Sequence, residues 1–192
     1  MPRDDLPVVT ADSQQSWQAW LHEHHASSAG VWLKIAKKGA PTETVSYTEA
    51  VEDALCYGWI DGQKGKLDDD YWLQRFTPRT TRSKWSKINR EKAEQLIAAA
   101  LMRPPGLREV EVARADGRWD AAYEGQATAT VPPDLARALE LNPVASAFFA
   151  TLTGANRYAI LYRIQDAKRP ETRARRIEKY VAMLTEHKTI HP

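Results

Sequence analysis

The pattern of hydrophobic positions changes character near Pro78. Before it, short β-branched and aromatic runs alternate with helical stripes, whereas after it almost every segment has a helical period. The runs at residues 31–36, 59–61 and 71–77 predict strands, and a connection rich in glycine and aspartate predicts a hairpin between the last two. The pattern therefore favours an α+β fold with a short antiparallel sheet.

Two helices are predicted among these strands. The first begins at a cap on Ser13 or Ser16 and runs to about residue 25, because its apolar side chains fall on one helical face. The second begins at a capping box formed by Ser46 and Glu49. Gly58 is placed to adopt the left-handed conformation that ends it.

The rest of the chain carries residues that are typical of helix ends, with prolines at predicted first turns and Gly117 after a predicted helix end. Helices are predicted near residues 93–101, 105–116, 134–140, 144–152, 155–167 and 171–186, with a loop at 125–133. We therefore expect a small mixed N-terminal domain at residues 1–80 and a helical C-terminal domain at residues 81–192 packed against it.

Composition narrows the possible partners. The chain has 192 residues, of which 43% are hydrophobic, so a real core is expected. Its 27 Lys and Arg against 25 Asp and Glu leave a net charge of +2, too small to recruit nucleic acid or an anionic membrane by itself. A single cysteine, Cys56, a polar N-terminus and the lack of a long apolar run predict a cytoplasmic protein that is not inserted in a membrane.

The densest chemistry lies between residues 55 and 89, where tryptophans, carboxylates and cations alternate. We expect aromatic and charged side chains of this segment to meet in one solvent-reachable hollow that binds a small molecule or an anion. The predicted ligand-binding residues are Trp59, Asp61, Arg75, Lys84, Trp85 and Lys87. On this hypothesis, alanine at Arg75 and Trp85 removes ligand binding without unfolding the protein.

Two other functions use the same segment. In a hydrolase-type enzyme, Asp61 acts as a general base while Arg75 or Lys84 stabilises developing negative charge. In a protein that binds single-stranded nucleic acid, the cations follow the phosphates and Trp85 stacks on a base, although the small net charge argues against it. No catalytic motif is recognisable, so no catalytic residue is assigned.

Three features have a structural interpretation beside a functional one. Asp61 and the aspartates at 68–70 supply oxygen ligands for a hard cation, but their spacing is typical of a solvated turn, and neither a metal nor a cofactor is predicted. Cys56 is a nucleophile only if folding brings His24 close, and otherwise a buried thiol. The tryptophans and tyrosines line a pocket or simply form core, and a buried indole N–H needs an acceptor, for which Asp61 is a candidate.

Several strings together resemble the bacterial YdeI/OmpD-associated family, whose members are described as bacteriocin-protection proteins. They are residues 55–63, 74–79, 83–89, 116–120, 157–162 and 168–177. The resemblance implies a mixed N-terminal part, a helical C-terminal part and a link to envelope stress or resistance to antimicrobial peptides. It implies no reaction and no catalytic residues. The sequence thus favours a cytoplasmic, stress-associated binding protein.

Overall fold

The computed structural model describes residues 5–191. The strands in this range are β1 (Val8–Thr10), β2 (Val31–Ala36), β3 (Trp59–Lys66) and β4 (Tyr71–Pro78). The helices are α1 (Gln14–His24), α2 (Tyr47–Cys56), α3 (Lys87–Ala98), α4 (Pro104–Ala115), α5 (Pro133–Glu140), α6 (Pro143–Thr151), α7 (Gly154–Gln165) and α8 (Pro170–Thr185). Within the described range, none of these helices combines the length and the apolar character needed to cross a bilayer.

The four strands form one sheet in the order β1-β2-β4-β3. The β2–β4 and β3–β4 pairs are antiparallel, as predicted, and the α+β class is confirmed. The sheet is nevertheless mixed, because β1 pairs in parallel with β2. A three-residue strand is too short to show a period of two, which is why sequence patterning missed β1.

The capping signals at α1 and α2 are confirmed. The Ser13 side chain accepts from the backbone N–H of Ser16, and the reciprocal bond from the Ser13 backbone to the Ser16 side chain is also present. Ser46 and Glu49 form the same reciprocal pair at α2. Beyond α2, Gly58 has a φ of +74°, the left-handed conformation that lets the chain turn directly into β3.

Helices α1 and α2 cover one face of the sheet. The Trp17 ring lies 5.5 Å from the Phe76 ring of β4, and its indole Nε1 donates a hydrogen bond of 3.1 Å to the Ala50 carbonyl of α2. Alternate residues of β2, Val31 and Leu33, are fully buried beneath these helices. The apolar faces of two helices and one sheet face therefore share one core.

The described chain divides into two compact units. Unit 1 comprises the residues up to Trp85 together with Asn89–Ala122, and unit 2 comprises Ser86–Ile88 together with Tyr123 onwards. The sequence predicted a boundary near residue 80, but most of α3 and all of α4 group with the sheet. Ala93 and Val110 are buried in the same core as the strands, which accounts for that grouping.

Unit 2 is built from α5 to α8 around its own core. The predicted first-turn prolines at 133, 143 and 170 each begin a helix. Fully buried Leu135, Ile160 and Leu184 bring three of these helices together. A bidentate ion pair also connects α8 to α5. The Arg173 guanidinium donates to both carboxylate oxygens of Asp134, at 2.5 and 2.8 Å.

Candidate functional site

Two of the predicted site residues, Trp59 and Trp85, lie in the core of unit 1. They are 1% and 2% exposed. The Trp59 indole donates to the backbone carbonyl of His25 at 3.2 Å, not to Asp61 as the sequence indicated. The Trp85 indole nitrogen has no acceptor among the described residues. Both rings are therefore part of the core of unit 1.

Asp61 and Arg75 lie on neighbouring strands but on opposite faces of the sheet. Asp61 pairs with Phe76, whose side chain faces α1, whereas Arg75 pairs with Trp32 on the other face. A carboxylate oxygen of Asp61 accepts a 2.7 Å hydrogen bond from the Tyr47 hydroxyl. Because side chains alternate along a strand, the structure does not bring this carboxylate and this guanidinium into one hollow.

The two predicted lysines occupy separate positions. Lys84 is exposed on the loop after β4, within unit 1. Lys87 belongs to unit 2, where its ammonium forms a 2.8 Å ion pair with Glu124 and helps to hold the pKa of that carboxyl below its usual value. The backbone of Lys87 also donates to the Tyr123 carbonyl at 2.8 Å.

The cations and indoles around Trp85 contact one another. The Arg79 guanidinium lies 3.6 Å from the centre of the Trp85 ring, and the Trp119 ring meets Trp85 edge-on at 4.8 Å. Arg118 donates to the Ser83 carbonyl at 2.8 Å and to the Asp116 carboxylate at 2.7 Å. We call these four contacts the Trp85 stack. They join the loop after β4 to the segment after α4.

Asp68, one of the aspartates that suggested metal ligands, and the neighbouring His24 and His25 have local structural roles. Asp68 closes a turn by accepting from the backbone N–H groups of Asp70 and Tyr71 at 2.9 and 2.7 Å. The Nδ1 atoms of His24 and His25 bond carbonyl oxygens one turn back in their helix, both at 2.9 Å. In the part of the chain that the structure describes, no group of three His, Cys, Asp or Glu is arranged to hold a metal ion.

A different arrangement stands out in unit 1: a partly enclosed cavity of about 180 Å³, here called the Asp53 cavity. Helices α1 and α2 contribute most of its wall, and the turn between α3 and α4 completes it. The lining residues are Gln14, Gln18, Glu52, Asp53, Cys56, Tyr57, Leu96, Leu101 and Arg103. The cavity combines charged, amide and apolar groups, as small-molecule sites do.

Asp53 is the most unusual group in this cavity. Its side chain is only 5% exposed, and one carboxylate oxygen, Oδ1, accepts from the amides of Gln18 at 2.8 Å and Gln14 at 3.3 Å. The other oxygen, Oδ2, is buried and has no hydrogen-bond partner among residues 5–191. Burial raises the pKa of Asp53 to about 6, against the opposing effect of the two glutamine amides, and the charges of Glu52 and Glu49 raise it further.

The charged residues beside Asp53 differ in whether they have an ion-pair partner. Glu52 is neutralised by an ion pair with Lys92 of α3. Arg103, by contrast, makes no side-chain hydrogen bond or ion pair with residues 5–191, and its positive charge acts on Cys56. Burial nevertheless raises the pKa of the Cys56 thiol to about 11, so the thiol is protonated at neutral pH and is not an activated nucleophile.

A close helix contact sets the position of Arg103. A Cβ built on Gly106 meets the carbonyl oxygens of Cys56 and Leu55 at 2.5 and 2.6 Å, so only glycine permits this approach of α4 to the end of α2. Arg103 lies immediately before α4, three residues from that contact. The tight crossing therefore fixes the backbone near Arg103, whose exposed side chain lines the cavity.

Unit 2 contains a larger cavity of about 320 Å³, lined among others by Gln126, Arg157 and Tyr158. Two of its polar side chains make other contacts: the Tyr158 hydroxyl donates to the Glu124 carbonyl at 2.9 Å, and the Arg157 guanidinium faces the Phe149 ring at 4.5 Å. No buried side-chain nitrogen or oxygen of the described residues in unit 2 lacks a partner. The Asp53 cavity is therefore the stronger candidate site.

Comparison with known families divides the chain much as the structure does. The model of a domain of unknown function, DUF8412, matches residues 9–109, more than half of the chain. A second model, described as bacteriocin-protection, YdeI or OmpD-associated, matches residues 128–187. The chain belongs to the DUF8412 family, and its residues 128–187 match the YdeI/OmpD-associated model. The resemblance found in the sequence is thus confirmed, and no curated protein and no solved structure shows significant similarity to the chain.

The family matches separate the two cavities. All residues that line the Asp53 cavity lie within the DUF8412 match, whereas the YdeI/OmpD-associated match covers most of unit 2. Sequence reasoning missed Asp53 although a signal was present. Asp53 stands three residues after Ala50 and one before Ala54, so it falls within the apolar stripe of α2, where an unpaired carboxylate is costly. A charged residue on a buried helical face was the usable clue.

Proposed function

We propose that this protein binds a small molecule in the Asp53 cavity, and that the ligand donates a hydrogen bond to Asp53 Oδ2. The single observation that carries the proposal is the buried carboxylate oxygen without a partner, beside a cavity. A buried acceptor left unsatisfied costs about 1–3 kcal/mol, and more for a charged group. A ligand that supplies the missing donor recovers that cost and gains affinity.

The geometry supports binding better than the other functions considered. The hydrolase hypothesis needs Asp61 to act on one substrate together with Arg75 or Lys84. Asp61 and Arg75 project from opposite faces of the sheet, and Lys84 is exposed on the loop after β4. Base stacking needs an accessible ring, and Trp85 is 2% exposed. In the Asp53 cavity, the thiol of Cys56 is protonated and no histidine is among the lining residues described.

The physiological role is proposed from the family description. One matching family is named for bacteriocin protection, and we extend that role to this chain as a cytoplasmic response to antimicrobial stress. The single cysteine, which is buried and free, supports a reducing compartment. Under this proposal the ligand is a small molecule or ion whose level changes under such stress.

The proposal is tested by fragment binding followed by NMR. The side-chain amide signals of Gln14 and Gln18 report directly on Asp53, since both amides bond its Oδ1. A set of small amines, amides, alcohols and carboxylates is added singly to the protein and to Asp53→Asn. We expect donor-bearing fragments to shift these amides in the wild type and to lose the effect in the variant.

The matched control is Asp69→Asn, which removes one carboxylate from an exposed turn. The control should respond as the wild type does. Fragment-induced shifts confined to residues around Arg75 and Lys84 would support the original six-residue site instead. If no fragment moves either region, the binding proposal fails.

A further inference from the structure

We propose that the ligand of the Asp53 cavity is a small zwitterion of the amino-acid type, whose ammonium group binds Asp53 and whose carboxylate binds Arg103. This inference rests on the proposed function and names its ligand class. It follows from the charges that the cavity leaves unmatched, from the spacing of the lining residues along α2 and from the size of the cavity.

The lining leaves one charge of each sign without a partner. Glu52 is paired with Lys92, and Glu49 is occupied as the reciprocal half of the α2 capping box. Asp53 Oδ2 and the Arg103 guanidinium have no such partner among residues 5–191. No ion pair joins the two to each other within the described residues. A ligand with both charges satisfies both groups at once, and charge-assisted hydrogen bonds are the strongest kind.

Helix geometry gives the spacing. Asp53 and Cys56 are three residues apart on α2, so their side chains leave the same face about 5–6 Å apart. Arg103 lines the same cavity as Asp53 and Cys56, and its charge acts on Cys56. We take the spacing of Asp53 and Cys56 along α2 as the guide to the separation of the two charges on the ligand. A carboxylate and an ammonium joined by one to three carbons can span such a distance.

The size and the apolar wall limit the ligand further. The cavity measures about 180 Å³. An apolar cavity of about 150 Å³ accommodates a benzene-sized molecule, so a ligand of roughly that size fits. Leu96, Leu101 and the Cys56 thiol offer apolar contact to a short side chain or methylene linker.

Ligands with a single charge fit less well. A plain amine satisfies Asp53 but leaves the guanidinium unused. A plain carboxylate meets Arg103 but is repelled by Asp53 and leaves its oxygen without a donor. The zwitterion should consequently bind at least tenfold more tightly than either half, which corresponds to about 1.4 kcal/mol.

The test is isothermal titration of the full chain with matched compounds. Glycine, β-alanine and γ-aminobutyrate vary the spacing between the two charges, and alanine and valine vary the side chain. Ethylamine and propionate supply each charge alone. The set is measured against the wild type, Asp53→Asn, Arg103→Gln and Arg108→Gln, the last being a control at an exposed arginine of the same helix.

We expect at least one zwitterion to bind tenfold or more tightly than ethylamine and propionate. Arg103→Gln should remove that advantage while ethylamine binding persists, Asp53→Asn should weaken both, and Arg108→Gln should change neither. Affinity should also rise as pH increases through about 6, where Asp53 loses its proton. The titratable and charged groups around Asp53 in this measurement are Glu49, Glu52, Cys56, Tyr57, Lys92 and Arg103.

Two outcomes overturn the inference and are distinguishable. If ethylamine binds as tightly as every zwitterion and Arg103→Gln has no effect, the ligand class is wrong while the proposed binding function stands. If no zwitterion binds although other fragments shift the Gln14 and Gln18 amides, the same conclusion follows. If none of these compounds and no fragment binds, both proposals fail.

Discussion

The Trp85 stack and the Asp53 cavity are two polar regions of the same unit, and they treat charge in opposite ways. In the stack, Arg79 lies over an indole and Arg118 is bonded to a carbonyl and a carboxylate. In the cavity, a carboxylate that is 5% exposed keeps one oxygen without a partner among the described residues. The stack uses its cations to join two segments of the chain, although the Trp85 indole nitrogen and one Arg118 guanidinium nitrogen also have no hydrogen-bond partner among residues 5–191. The cavity differs because its unsatisfied carboxylate oxygen lies beside open space that a ligand can enter.

The difference teaches that crowding of functional residue types along a sequence is weak evidence for a site. Guanidinium groups and indole rings stabilise each other by stacking, so a segment rich in both tends to fold onto itself. A site is better identified where a buried polar group with unused hydrogen-bonding capacity also lines a cavity, as Asp53 does. Three substitutions sharpen this contrast.

The largest effect is expected from Trp85→Ala. The side chain is 2% exposed and contacts Trp119 and Arg79, so its removal leaves a large cavity. We expect a loss of about 3–5 kcal/mol in the free energy of unfolding, measured by urea denaturation. This expectation opposes the sequence-based hypothesis that alanine at this position affects only ligand binding.

The matched variant is Trp85→Phe, which keeps a ring and removes the indole N–H that has no acceptor among the described residues. It should cost less than half as much as alanine. Equal stability of Trp85→Ala and the wild type would mean that the stack has no structural role.

An intermediate effect of opposite sign is expected from Asp53→Asn. The unfolded carboxyl loses its proton near pH 4, but the folded one does so near a pKa of about 6. Between these values the folded state binds more protons, so the free energy of unfolding falls as pH rises and is constant above the upper value. Because the asparagine does not titrate, the variant should be more stable than the wild type by about 2 kcal/mol at pH 7 and not at pH 4.

The measurement is a series of denaturation curves from pH 4 to pH 8 on the wild type, Asp53→Asn and the exposed control Asp69→Asn. A pH dependence in the variant as steep as that of the wild type would show that Asp53 is not the titrating group. Loss of stability at pH 7 would mean that the carboxylate is better satisfied than the structure indicates.

The smallest effect is expected from Arg118→Lys. Lysine keeps the charge but loses the fork that reaches Asp116 and the carbonyls of Ser83 and Thr80. We expect a loss of about 1 kcal/mol in the free energy of unfolding, the net contribution of a typical hydrogen bond. Arg108→Lys on exposed α4 surface should change stability by less than half of that.

Much of the local structure could be predicted from the sequence. The capping boxes at Ser13 and Ser46, the left-handed Gly58 and the first-turn prolines depend on neighbouring residues and were recognisable without coordinates. Strand β1 was not, because three residues carry no usable period. The candidate site was not predicted either, because Asp53 was not singled out from the other residues of α2.

By itself, the sequence determined the α+β class, most of the helices with several of their ends, and the likeness to the YdeI/OmpD-associated family, since helix signals and motif strings are local in the chain. The helix predicted at residues 93–101 was placed too late, because α3 runs from Lys87 to Ala98 and Ala100 has a φ of +56°. Only the tertiary structure decided which charged groups have ion-pair or hydrogen-bond partners. The pairing of Glu52 with Lys92, the approach of Gly106 to Cys56, and the opposite faces taken by Asp61 and Arg75 join residues distant in sequence or depend on strand register. Burial and hydrogen bonding depend on such packed neighbours. Only the packed structure therefore shows that Asp53 Oδ2 is buried without a hydrogen-bond partner among residues 5–191.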